Sequence, residues 1–383
     1  MKLHNALNLE ERKQIVHQTA QAFSERAKIH DEQNTFPMEN IQELKEIGYT
    51  SLTVPKTFGG KGLPLAEWLA LQEVIATYDG STSLSIGWHM GLITNISESK
   101  AWPEDIYEQV LYEVLHEGKL LNAAASEPET GSPTRGGKPT TTATRDHNNW
   151  IINGRKSFTS MSPALDYFIV SATMEDGQVG NFLINHSAQG VKIEETWNSI
   201  AMRGTASHDL HLKNVRIPFN HFLELVQPGK KNPAGWLLHI PACYLGIAQA
   251  AQNFAIEFAS TYSPNSLPGA IKDLPNVQTK IGENEADLLQ ARYFLYGVAQ
   301  KWDSSSKEER QNMQNELGSV KYQVVNSAIH IVDRAMRVVG AQSLFKDHSI
   351  QRYYRDVRAG LHNPPMDDRT LILLATEAFD RIK

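Results

Sequence analysis

The sequence predicts an α+β chain in three parts. A helical N-terminal domain spans 1–118, an antiparallel β-barrel 119–228, and a C-terminal four-helix bundle 229–383. Three observations carry this reading. Apolar residues recur at helical spacing from Leu9 to about Glu117. The pattern then breaks into short alternating runs between turn residues. Helical spacing returns from about Pro233.

In the first part Ile15, Phe23 and Ala27, then Ile41, Leu44 and Ile47, then Trp68, Leu71 and Val74 mark successive helices. The run from Val54 to Gly62 interrupts them, because its proline and three glycines cannot continue a helix. In the middle part the strands are seeded by Trp150-Ile151-Ile152, Tyr167–Val170, Phe182-Leu183-Ile184 and Leu210-His211-Leu212. Several short strands at this spacing predict a small barrel or sandwich. In the last part Trp236, Ile240, Tyr244, Ala248, Ala251 and Phe258 share a face, and helices are expected over 277–302, 311–339 and 368–382. Long antiparallel helices of this kind make a four-helix bundle.

Composition excludes several functions. The 383 residues carry 37 basic and 43 acidic side chains, a formal charge of −6 without a basic stripe, so nucleic acid is not expected as a partner. Cys243 is the one cysteine, which rules out an internal disulfide and a thiolate cluster. The N-terminus lacks the apolar core of a signal peptide, and no apolar run has the length of a membrane span. A cytoplasmic location without membrane association is therefore expected. The stretch Gly131–Pro139 has the glycines of a phosphate loop but not its Lys-Ser/Thr ending, and no zinc spacing occurs among the histidines.

Four motifs carry chemistry. In order they are Ser126-Glu127-Pro128-Glu129-Thr130-Gly131-Ser132, then Asn153-Gly154-Arg155-Lys156-Ser157-Phe158-Thr159-Ser160, then Met202-Arg203-Gly204-Thr205-Ala206-Ser207, and last Val339-Gly340-Ala341 followed by Arg355-Asp356-Val357. Together they resemble the acyl-CoA dehydrogenase superfamily over almost the whole chain. The resemblance implies a flavoprotein oxidoreductase. Ser126, Phe158, Thr159 and Ser160 would border the ring of FAD, Arg337, Gly340 and Ala341 would meet its tail, and Ser132 would lie near the substrate. An aromatic wall and fixed hydroxyl donors are what a flavin needs, since they exclude water and stabilise charge arriving on the ring.

The chain departs from the family where the proton is removed. The family's usual glutamate falls on Pro364, which cannot be a base, and no acid stands at the alternative position near His239. His362 and Asp367 are the substitute catalytic candidates, and His239 is a candidate substrate contact. Competing readings are plain: Asp367 and Asp368 suit the first turn of the last helix, and a histidine on an apolar helix is commonly core. The arginine that usually grips FAD is missing from Thr261–Leu267, so FMN, or reduced flavin supplied by a reductase, is the alternative cofactor.

The leading expectation is α,β-dehydrogenation of an acyl-CoA thioester with hydride transfer to flavin, served by an electron-transfer partner. The alternatives are a two-component reduced-flavin monooxygenase fed by a flavin reductase, and a non-catalytic flavin- or acyl-binding scaffold. A homodimer or homotetramer built on the C-terminal bundle is implied as well.

Overall fold

A computed structural model describes residues 2–130, 136–229 and 232–382. The helical N-terminal part comprises α1 (Lys2–Asn5), α2 (Leu9–Ala20), α3 (Phe23–Gln33), α4 (Met38–Glu46), α5 (Leu65–Tyr78), α6 (Gly80–Ser99) and α7 (Glu104–His116). Local chemistry sets the helix starts. Asn8 caps α2 by accepting the Glu11 N–H, and Asp79 caps α6 by accepting from Ser81 and Thr82. Unlike the amphipathic α4 and α7, α5 and α6 are buried around most of their circumference. Helices apolar all round belong inside, and these two form the layer on which the rest of the chain packs.

The middle part holds β1 (Leu121–Ala124), β2 (Thr142–Asp146), β3 (Asn149–Thr159), β4 (Tyr167–Met174), β5 (Val179–Asn185), β6 (Val191–Glu194), β7 (His208–Pro218) and β8 (Phe222–Val226). They form one sheet in the order β6-β7-β3-β2-β4-β5-β8, with β1 also on β4. This corrects the expected antiparallel barrel. The sheet is open, ending in the short strands β6 and β8, and it is mixed, because β1 and β2 both run parallel to β4. Alternation of apolar residues fixes which face is buried but carries no information on strand direction or closure.

The C-terminal part begins with a 3₁₀ turn, Gly235–Leu238, that leads into α8 (His239–Thr261), followed by α9 (Pro275–Ser304), α10 (Lys307–Arg310), α11 (Gln314–Val339), α12 (Ser349–Val357) and α13 (Asp367–Asp380). The four long helices of the expected bundle are α8, α9, α11 and α13. α8 packs on α5, α6, α9 and α11, so it lies at the centre of the molecule. One continuous core joins the three parts, from Phe23 and Trp68 through Phe168 and Ile217 to Leu245 and Val324. No helix among the described residues is long and apolar enough to cross a membrane.

Candidate active site

Strand β3 loses register with β7 between Lys156 and Thr159, where three steps on β3 match two on β7. The extra residue re-aims the chain, as bulges do. Ser157 turns away to bridge Ser126, donating its N–H to the Ser126 carbonyl at 2.9 Å. Phe158 is thrown outward at φ 57°, two-thirds exposed, with its ring edge-on to Trp197 at 5.9 Å. A bulky side chain in the left-handed region is strained by about 1–3 kcal/mol.

Hydroxyls line up beside it. Thr159 is fully buried and its Oγ1 has no partner among the described residues. Ser160 Oγ contacts Ser207 Oγ at 2.8 Å, Ser207 contacts Thr205 Oγ1 at 2.8 Å, and Thr205 donates to the Met202 carbonyl at 2.9 Å. Asn122 Nδ2 holds the Ser160 carbonyl at 3.0 Å. Ser126, Phe158, Thr159 and Ser160 are thus gathered at the C-terminal end of β3.

Beneath them lies a pair that motif matching did not single out. Lys156 Nζ donates to Glu127 at 2.7 Å, with both side chains fully buried. Glu127 also accepts from Thr130, Thr140 and Thr141. Burial alone raises a carboxyl pKa, but the bonds from Lys156, Thr141 and Thr140 win and hold it at about 2. The ion pair clamps the Ser126 segment to β3.

The Met202–Ser207 loop is tied to the bundle. Met202 N–H donates to Asp356 Oδ1 on α12 at 2.6 Å, and Arg355 donates to the Ile200 carbonyl at 2.6 Å. Asp31 of α3 receives Arg355 at 2.6 and 3.0 Å, and its carbonyl accepts Arg203 Nε at 2.5 Å. Complete burial pushes Asp356 up to about 7, against the pull of the Met202 N–H and Arg352. The third and fourth sequence motifs therefore meet at one junction of all three parts.

On the bundle side a cavity of about 220 Å³ lies against Pro364 and Pro365, walled by the Gly235–Leu238 turn and the first turns of α11. Asp367 opens α13, and its carboxylate takes Lys321 Nζ at 2.8 Å and Asn326 Nδ2 at 2.9 Å. His362 is exposed at the end of a 3₁₀ turn. His239 is fully buried among Trp68, Trp88 and Trp236, with ring centroids 4.8–6.1 Å away and neither nitrogen hydrogen-bonded among the described residues. Burial drives its pKa down to about 3, so the ring is neutral. A Cβ on Gly87 would come within 2.4 Å of His239 Nδ1, so α6 needs glycine there.

The remaining candidates stand apart. Arg337 is mostly exposed and pairs with Asp333 at 2.8 Å. Gly340 ends α11 at φ 71°, and Ala341 is exposed beside it. Among the described residues no hydrogen bond or ion pair links these three to the Ser126–Phe158 group. Ser132 lies outside the described residues. Lys321 escaped sequence reasoning, since a lysine within an apolar helix stripe carries no motif.

Family models for the acyl-CoA dehydrogenase N-terminal, middle and C-terminal domains match residues 9–99, 122–215 and 238–363. A Bacillus subtilis (strain 168) protein, YdbM, provisionally named an acyl-CoA dehydrogenase, is 51% identical over 94% of each chain. Butyryl-CoA dehydrogenase from Megasphaera elsdenii superposes with a TM-score of 0.85, covering 97% of this chain and 98% of that one at 19% identity. Methanesulfinate monooxygenase MsuC from Pseudomonas fluorescens superposes at 0.84, covering 96% and 97% at 23% identity. At those identities the two structures speak for the fold, whereas the family models and the Bacillus relative decide membership: the chain belongs to the acyl-CoA dehydrogenase family.

Proposed function

We propose that this protein is a flavin-dependent oxidoreductase that removes hydrogen from the α and β carbons of a small acyl-CoA thioester. The observation that carries the reading is Phe158, held in a strained conformation and facing solvent beside Ser126, Ser160 and the unpaired Thr159 hydroxyl. Strain of this kind persists where function uses it. A planar ring with polar edges fits such a surface, and FAD is the ring proposed, with FMN as the alternative.

Bound flavin would supply the two-electron acceptor. The protein's own side chains do the rest. Phe158 and Trp197 exclude water from one face of the ring site. Ser160, oriented through Ser207 and Thr205, offers a hydroxyl to its edge. The Met202–Asp356 bond holds the bundle against the sheet. The mostly apolar cavity beside Pro364 has the size for a short acyl group. Asp367 is committed to Lys321 and Asn326, so His362 is the residue assigned to accept the α-proton. The name of the Bacillus relative and the fold shared with butyryl-CoA dehydrogenase support this substrate class.

Pro364 favours a second reading, a two-component monooxygenase that takes reduced flavin from a reductase. That chemistry needs no carboxylate at this position, and a methanesulfinate monooxygenase shares the fold. Purified protein assayed without oxygen for bleaching by butyryl-CoA, and in air for oxygen uptake with reduced FMN, separates the two. A dehydrogenase is yellow when purified and bleaches with butyryl-CoA; a monooxygenase is nearly colourless and consumes oxygen only with added reduced FMN. In either case a homodimer or homotetramer is proposed, because Leu371, Ile372 and Phe379 leave α13 with exposed apolar residues.

A further inference from the structure

The cavity beside Pro364 has a buried cation in its wall. Lys321 lines it from α11 with a side chain only 1% exposed. Its Nζ donates to Asp367, whose other oxygen is taken by Asn326, so the ammonium is anchored by a carboxylate that is itself fixed. An ammonium carries three N–H donors, and Asp367 is its one hydrogen-bond partner among the described residues. Besides Lys321, the side-chain donors in the wall are the neutral amides of Asn232 and Gln314, so Lys321 is its one charged donor among the lining residues. Leu237, Leu238 and Leu317 are apolar, and Pro364 and Pro365 have no backbone N–H. Gln314 lines the same cavity with a buried Oε1 that lacks a partner among the described residues. Burial lowers the Lys321 pKa and Asp367 opposes that shift. The charge is thus kept where leaving it out would be easier.

We infer that Lys321 donates to the carbonyl oxygen of the substrate and stabilises the negative charge that gathers there when the α-carbon gives up its proton. The inference rests on the acyl-thioester reading above and adds a catalytic residue to it. Asp367 becomes a positioning residue, not a base. The wall chemistry suits a neutral carbonyl better than a carboxylate, because Asp367 already balances the ammonium. A fixed donor aimed at an oxygen that gains charge during reaction accelerates that reaction, because the interaction strengthens on the way to the transition state.

The test uses flavin-loaded wild type, Lys321→Met, Lys321→Gln and Lys321→Arg. Each is titrated with acetoacetyl-CoA, whose enolate absorbs in the near ultraviolet, and with S-butyl-CoA, a thioether without a carbonyl. Neutral substitution is expected to weaken acetoacetyl-CoA about tenfold or more. It also raises the pH midpoint of enolate formation on the enzyme by about one unit or more. Lys321→Arg retains most of both effects, and S-butyl-CoA binds all four proteins alike. Lys321→Gln carries the test if Lys321→Met does not fold. Equal weakening of both ligands, or an unmoved enolate midpoint, assigns Lys321 a purely structural role and overturns the inference. If wild type binds neither ligand, the acyl-thioester reading itself fails and takes the inference with it.

Discussion

The Asp356 carboxylate accepts the Met202 backbone N–H across 154 residues of sequence. One end of this bond is the loop after β6, the other the helix α12, and between them they set the angle of sheet against bundle. Any ligand lying between those parts depends on it.

Asp356 makes stability depend on pH in an unusual direction. Its folded pKa, about 7, lies above the ordinary 3.8. Between those values the folded state keeps a proton that the unfolded state has lost, so the contribution is complete at low pH and is lost as pH rises through about 7. Asp356→Asn keeps an oxygen for Met202 but never ionises. Scanning calorimetry should find wild-type Tm falling relative to Asp356→Asn from about pH 4 to about pH 7; a difference that stays flat contradicts the assignment.

His239 acts in the opposite sense. Its folded pKa, about 3, lies below the usual 6.5, so its contribution is complete above 6.5 and is lost as pH falls toward 3. Phenylalanine fits the Trp68–Trp88–Trp236 surround without a polar nitrogen. Acid unfolding of His239→Phe is expected to begin at lower pH than that of wild type. An unchanged acid midpoint shows that another group governs the transition.

The Lys156–Glu127 pair is the test of rigidity under Ser126. Removing one partner strands a buried charge, which costs about 3–5 kcal/mol. Lys156→Met is therefore expected to be strongly destabilised, and Lys156→Met with Glu127→Gln to recover part of the loss. Chemical denaturation reads both, and no recovery in the double variant argues against a coupled pair.

Much of this was legible in the sequence, for definite reasons. Helical periodicity located α2, α3, α4, α5, α8, α9 and α11, whose apolar residues recur at helical spacing. The Asn153–Ser160 motif drew attention to the stretch in which Phe158 is displaced, but the bulge that displaces it, set by pairing with β7, was not legible. Sheet closure was not legible, since β1 and β2 reach β4 through pairings that leave no periodic trace. Nor was Asp367: the first-turn reading was correct, but its partners Lys321 and Asn326 lie more than forty residues away on α11. Such contacts are decided by packing.

Phe158 separates binding from folding. It is two-thirds exposed and contributes little to the core. Phe158→Ala should leave the unfolding free energy within about 0.5 kcal/mol of wild type while weakening flavin about tenfold. A large loss of stability with unchanged flavin affinity contradicts its role as the ring wall.

The most direct measurement is a fluorescence and calorimetric titration of flavin-free wild-type protein with FAD and FMN, each oxidised and reduced. The account predicts saturable binding of at least one form at one site per chain, weakened in Phe158→Ala. Absence of binding by all four forms contradicts it.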